Sequence, residues 1–181
     1  IQGPDLFDRP VKNRNFLSPA GFKFTLTKAP KVDFFSKSVS IPNLTLGAAI
    51  QTNYLRDIPV PGDKLQYGDL DIDFFIDENL ENYLEIERWM RALGYPESLE
   101  EAVDLNPENT TLLGAARSDG SIFVYNSSFN PIARIDFKDL FPTSLTPVPF
   151  SADVTDINYI VATATFKYTI FNVESLLKNE S

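Results

Sequence analysis

The fold is decided by two consecutive segments, IPVPGDKLQYGDLDIDFFID at residues 58–77 and ENLENYLEIERWMRALG at residues 78–94. The first begins with turn-forming residues, Pro59, Pro61, Gly62 and Asp63, and continues as a predicted strand from Gly68 to Asp77. Apolar side chains recur there at every second position, with aspartates between them. This alternation is typical of a strand with one buried face and one solvated, acidic face.

The second segment predicts an amphipathic helix over about residues 79–93, closed by Gly94. Asn79 is a suitable N-cap, and acidic residues follow it near the positive end of the helix dipole. Trp89, the single tryptophan, either packs against the sheet or anchors an interface. The side chains that we expect to pack the helix against the sheet are Leu80, Tyr83, Ile86, Trp89, Met90 and Leu93.

Composition restricts the chemistry. The 181 residues predict one domain, with an extended N-terminal arm at residues 1–20 and a short mobile tail at residues 173–181. The net charge of −9 argues against gripping nucleic acid through its phosphates. The chain has no cysteine and no histidine, which disfavours thiolate nucleophiles, Ser-His-Asp triads and the usual zinc sites. We expect no cofactor, no metal and no enzymatic activity.

The rest of the chain predicts further strands at residues 21–28, 33–41, 120–126, 132–137 and 158–171. Residues 43–61 predict a long loop or a protruding hairpin, residues 98–104 a short helix, and residues 141–145 a tight bend. Neither a run of about 18 apolar residues nor a secretory signal pattern is seen, so no transmembrane helix is expected. The predicted fold class is mainly β, an antiparallel barrel or sandwich with one flanking helix.

The aspartates of the alternating strand, Asp69, Asp71 and Asp73, admit several interpretations. A calcium loop is rejected, because the glycine needed for its sharp turn is missing and the alternation indicates a strand. A solvated surface is the plainest interpretation, and an electronegative lumen is the sharper one. A hydrolase using Asp71 or Asp73 with Glu78 is the weakest, because no pocket residues converge on them in sequence.

The order of these elements resembles the tail tube proteins of contractile-tailed bacteriophages. The resemblance covers residues 15–172 and is carried by the strand at 21–28, the loop at 43–61, the 68–94 strand and helix, the hairpin at 121–137, the Leu140-Phe-Pro-Thr143 step and the last strand. The segment at residues 96–117 is longer than the minimal family pattern and favours a specialised variant.

The resemblance implies hexameric rings that stack into a tube, which conducts DNA without binding it specifically. Sheath and baseplate proteins would be its partners, without membrane insertion, in a virion tail assembled in the host cytoplasm. Asp69, Asp71 and Asp73 are then candidates for the lumen. The inter-ring contact loop would comprise Tyr54, Leu55, Arg56, Asp57, Ile58 and Pro59.

Two alternatives remain open. A tube-initiating ring of the baseplate has the same fold, and related rings occur in type VI secretion. A monomeric β-sandwich that binds carbohydrate or a receptor is the other, with Tyr54, Tyr67 and Tyr125 as stacking platforms for sugars.

Overall fold

A computed structural model describes residues 17, 21–94, 117–151 and 159–176. The predicted helix at 98–104 and nearly all of the arm at 1–20 lie outside these ranges. The predicted mainly antiparallel β architecture is confirmed. In chain order the elements are β1 Phe22–Leu26, α1 Pro30–Phe34, β2 Ser36–Val39, β3 Leu44–Gln51, β4 Ile58–Tyr67, β5 Leu70–Phe75, α2 Glu81–Gly94, β6 Ser118–Tyr125, β7 Pro131–Leu145, β8 Val161–Lys167 and β9 Ile170–Ser175.

Within these ranges the main sheet has seven strands in the order β1-β6-β7-β8-β5-β2, with β9 added beside β7. Its two edge strands, β1 and β2, contact each other, so the sheet curves into a half-open barrel. The strands β3 and β4 form a separate two-stranded sheet. The barrel encloses a buried core, to which its strands contribute Phe24, Leu26, Leu70, Ile72, Phe74, Ile122, Ile135, Phe137, Leu140, Ala162, Ala164 and Phe166.

The chain between β1 and β2 differs from the predicted strand at residues 33–41. A single helical turn, α1, occupies residues 30–34, and β2 is limited to Ser36–Val39. Pro30 stands at the first turn of this helix, where its missing N–H costs nothing. Val32 is then buried in the core, and this tertiary contact outweighs the strand propensity of the following aromatic residues.

The strand β7 is longer than predicted and belongs to both halves of the sheet. The bend expected at residues 141–145 is wrong, because β7 continues to Leu145. Its first part pairs with β6 and β9, and its last part pairs with β8. Between the two parts, Asp139 adopts a φ of 59°, which redirects the strand without ending it.

The prediction of one continuous strand at residues 158–171 is also wrong. The chain breaks after Lys167, and β8 pairs with β5 and β7 while β9 pairs with the other part of β7. At the break the Tyr168 hydroxyl donates to the Gly68 carbonyl at 2.8 Å, and its ring packs against Phe137 and Phe171. Residues 173–175, expected in a mobile tail, lie in β9.

The helix α2 starts at Glu81, two residues later than predicted, because the preceding Leu80 has a left-handed φ of 58°. The buried side chain of Asn82 joins the helix to the end of β5. Its Nδ2 donates to the Phe75 carbonyl at 2.7 Å, and its Oδ1 accepts from the backbone N–H groups of Asp77 and Tyr83. This side chain, rather than that of Asn79, satisfies backbone groups at the junction between strand and helix.

We expect Asn82→Ala to lower the free energy of unfolding by about 2 kcal/mol, because it leaves buried backbone groups without partners. Chemical denaturation at constant pH measures this loss. Asn79→Ala is the matched control, since Asn79 is exposed in the turn before the helix, and it should change stability by less than about 0.5 kcal/mol. Equal losses in the two variants would contradict the role given to Asn82.

Candidate assembly surfaces

The outer face of β5 carries Asp71 and Asp73, and Asp69 directly precedes the strand; the three lie at the alternating positions that the sequence predicted. The intervening Leu70, Ile72 and Phe74 are fully buried, so the aspartates point away from the core. The lumen assignment of the three aspartates stays a prediction.

Neighbouring strands supply each aspartate with a partner. The hydroxyl of Thr165 on β8 donates to Asp71 at 2.7 Å, and that of Thr163 donates to Asp73 at 2.6 Å. These residues are direct cross-strand neighbours, so the bonds follow from the strand register. The outer face of β5 and β8 is therefore a ladder of hydrogen-bonded polar side chains.

Basic side chains also reach this face. The Lys167 ammonium lies 3.2 Å from Asp69 Oδ1, and Lys37 on β2 lies over the ring of Phe75. The hydrogen bond from Ser38, the bond from Thr163 and the positive charge of Lys37 hold the pKa of Asp73 below its ordinary value, against an opposing effect of burial. Asp73 is thus ionised at neutral pH, and the acidic face is partly neutralised rather than a bare cluster of carboxylates.

Sequence reasoning missed these partners: Ser38, Lys37, Thr163, Thr165 and Lys167. A signal for three of them was present, because Thr163, Thr165 and Lys167 alternate along one predicted strand face. The missing information was the pairing of that strand with β5, which brings together residues 90 or more positions apart.

The second surface is the hairpin of β3 and β4. Of the two predictions for residues 43–61, a long loop or a protruding hairpin, the structure has the hairpin. Its base is fixed by a 2.9 Å hydrogen bond from the Gly68 N–H to the Asn43 carbonyl. All of β3 is exposed, and most of β4 is exposed as well. Large apolar side chains on the hairpin remain accessible, namely Leu44, Leu46, Ile50, Tyr54, Leu55, Ile58, Val60 and Leu65.

The predicted turn at residues 59–63 is wrong, because these residues lie within β4. Pro59 pairs with Ile50, and Pro61 pairs with Ala48. Prolines are compatible with β4 because, among the described residues, only β3 pairs with it, and its other edge needs no N–H donor. Gly62 marks an irregularity in the register, where a Cβ atom would stand 2.5 Å from the Gly47 carbonyl oxygen.

The predicted inter-ring contact residues occupy the free end of this hairpin. Tyr54, Leu55, Arg56 and Asp57 connect the two strands, and Ile58 and Pro59 begin β4. The side chains of Tyr54 and Leu55 are 98% and 87% exposed, which is unusual for large apolar residues. A contiguous apolar element of this kind is typical of a surface that contacts another protein.

The predicted packing residues of α2 differ in their burial. Ile86 and Trp89 are buried, and the Trp89 ring lies 6.0 Å from that of Phe166. Tyr83, Met90 and Leu93 are partly buried against the same core. Leu80 precedes the helix and lines a surface groove.

The residues invoked by the alternative interpretations are not brought together. The Tyr67 ring is part of an edge-to-face cluster with Tyr168 and Phe171, and Tyr125 is half-buried, while Tyr54 is exposed at the hairpin tip. Glu78 lines a groove whose lining residues include neither Asp71 nor Asp73. The geometry offers no support for a sugar platform or an acid pair built from these residues.

The described residues contain neither a membrane-spanning helix nor a metal-binding cluster. Neither α1 nor α2 is long and apolar enough to cross a membrane. Within the same parts of the chain, no group of three or more acidic side chains is placed to hold a metal ion.

The fold is similar to subunits of contractile injection systems. A chain in the anti-feeding prophage cap, the terminating cap of its tube, matches 95% of this chain and 99% of its own length at 16% identity and a TM-score of 0.64. A chain in the PVC sheath-tube complex of an extracellular contractile injection system matches 90% and 94% at 14% identity and a TM-score of 0.59. A chain in the six-fold symmetrised anti-feeding prophage baseplate covers 84% and 90% at 12% identity and a TM-score of 0.58.

No protein-family model and no curated protein matches the chain. At these identities the likeness defines the fold, which is that of the tail tube proteins of contractile injection systems. The predicted resemblance is confirmed at this level.

We expect Ser38→Ala to raise the pKa of Asp73 towards its ordinary value of 3.8, because the largest stabilising hydrogen bond is lost. The pKa of Asp73 in the folded protein is depressed, so this hydrogen bond stabilises the fold fully at pH values above the pKa of the unfolded chain. That stabilisation is lost as the pH falls through the pKa of the folded protein. The variant should lose about 1 kcal/mol at pH 7, a value reduced for solvent exposure, and less as the solution is acidified.

Carbon-13 NMR titration measures the pKa of Asp73, and urea unfolding between pH 7 and acidic pH measures the change in stability. Ser36→Ala is the control, since the Ser36 hydroxyl donates to the Asp33 carbonyl and not to a carboxylate. An unchanged Asp73 pKa in Ser38→Ala would refute the assignment.

Proposed function

We propose that this protein is a structural subunit of the tube of a contractile tail, and that its copies form hexameric rings that stack. The observation that carries the proposal is the fold likeness, which extends over 90% or more of both this chain and chains of tube and cap assemblies. The role is geometric: a curved antiparallel sheet is repeated around a ring, and each ring contacts the next.

The exposed hairpin supports this function independently of the fold. A two-stranded sheet outside the core is marginally stable by itself, and the almost complete exposure of Tyr54 and Leu55 is typical of a surface that another protein covers. Subunit contacts would bury these side chains and stabilise the hairpin. The residues from Tyr54 to Pro59 are the inter-ring contact in this proposal.

The acidic outer face of β5 is suited to the lumen of such a tube. Asp69, Asp71 and Asp73 would present negative charge to a passing DNA molecule, and like charge disfavours adhesion to phosphates. Lys167 and Lys37 moderate that charge without reversing it. Passage of DNA, location in a phage virion, and contacts with sheath and baseplate are parts of this proposal.

A ring at one end of the tube is the second candidate function. It is favoured by the likeness to chains of the anti-feeding prophage cap and baseplate, which have TM-scores of 0.64 and 0.58. A terminal subunit would form a ring and stop there, whereas a tube subunit would continue to stack. The two functions therefore differ in the length of the assembly.

The first experiment is a size measurement on the purified chain by light scattering, with negative-stain electron microscopy. A hexamer of the 20.3 kDa chain has a mass of about 122 kDa, and stacked rings would be larger. Tubes would support the main proposal, and isolated rings the terminal candidate. A chain that stays monomeric at every concentration would contradict both.

A variant then tests the hairpin. The double substitution Tyr54→Ser with Leu55→Ser should leave rings intact and shorten or abolish tubes, because it removes the apolar contact between rings. Phe129→Ser is the matched control: Phe129 is 78% exposed in the turn between β6 and β7, and its loss should leave tube length unchanged. Tubes of normal length in the double variant would refute the inter-ring role of the hairpin tip.

A further inference from the structure

A groove of about 710 Å³ opens just beyond Phe75, the last residue of β5. Most of its wall is apolar and aromatic, and two of its side chains, Phe150 and Tyr159, are 76% and 74% exposed. The Tyr159 ring packs edge-to-face on Phe75 with 6.1 Å between centroids. The remaining apolar wall is formed by Phe35, Ile76, Leu80 and Ile160.

The groove and the hairpin lie at opposite ends of the same strand. The hairpin returns to the barrel at Gly68, directly before β5 begins, and the groove begins where β5 ends at Phe75. A strand of this length separates the two by about 20 Å. One copy therefore carries a projecting apolar element at one end and a receiving apolar surface at the other.

The two surfaces match in chemistry. The hairpin tip presents Tyr54 and Leu55, followed by the charged pair Arg56 and Asp57, and Arg56 forms no ion pair with another described residue. The groove is apolar, and its edge carries the carboxylates of Asp77 and Glu78. A large aromatic and an aliphatic side chain would fill the groove, and the arginine would meet the carboxylates.

We propose that the groove after β5 is the receptor for the hairpin tip of another copy of this chain. This assignment rests on the proposed function, since it names the surface that the inter-ring contact uses. A contact between two different surfaces at opposite ends of a subunit is heterologous, and it does not close when repeated along one axis. Such a contact continues from ring to ring without a built-in limit.

Cross-linking tests the assignment directly, because the chain has no native cysteine. Two single-cysteine chains with different tags, Leu55→Cys and Phe150→Cys, are mixed, assembled and oxidised, so that a mixed disulfide must join two copies. The control mixture replaces Phe150→Cys with Ser127→Cys, an exposed site in the turn at the start of β7. We expect about tenfold more mixed dimer with Phe150→Cys, because docking raises the effective concentration of the two thiols.

A charge exchange provides a second readout. Arg56→Glu should weaken stacking about tenfold, and adding Glu78→Arg in the same chain should restore it. The control replaces Glu78→Arg with Asp63→Arg in the Arg56→Glu chain. It adds the same charge on β4 away from the groove, where Asp63 is exposed, and should not restore stacking.

The outcomes separate the two proposals. Unmodified chains that form no rings or tubes overturn the proposed function. Tubes that form while the Phe150→Cys mixture links no better than its control, or while Glu78→Arg fails to rescue Arg56→Glu, overturn the groove assignment alone. Preferential linking together with rescue supports it.

Discussion

The register of β5 is the constraint on which the rest of the structure depends. Leu70, Ile72 and Phe74 must face the core, so the aspartates between them must face outward. A shift of one residue would bury three carboxylates and expose three large apolar side chains. The cross-strand hydroxyls of β8 hold the strand in this register from the outer face, and Asn82 holds its end from the helix side.

This strand also organises the candidate assembly surfaces. The hairpin leaves the barrel before β5, the groove opens after it, and the polar ladder lies along its outer face. A change in the position of β5 would therefore move all three surfaces together. In the proposed assembly, this one strand would set the geometry between the projecting hairpin and the groove that receives it.

The sequence reveals local periodicity well and long-range pairing poorly. The alternation of β5 and the stripe of α2 are evident from residues 68–94, and both elements are present in the structure. The break at Tyr168 and the extension of β7 through Asp139 depend on which strands become neighbours, which periodicity does not encode. The local sequence around Pro59 and Pro61 predicts a turn, whereas the structure places both prolines in β4. A strand accepts them there because, among the described residues, one of its edges is open, which is a tertiary property that the local sequence does not reveal.

The hairpin contributes no buried residue to the core, as all of β3 is exposed. Apart from Tyr67, whose ring packs against Tyr168 and Phe171, and the close backbone approach at Gly62, selection for a stable barrel therefore places few demands on the sequence of residues 44–67. Its side chains are free to diverge at the pace set by their binding partner. In the proposed assembly, lineages that share this barrel could thus acquire mutually incompatible stacking contacts, which would keep subunits of coexisting tails from mixing in one cell.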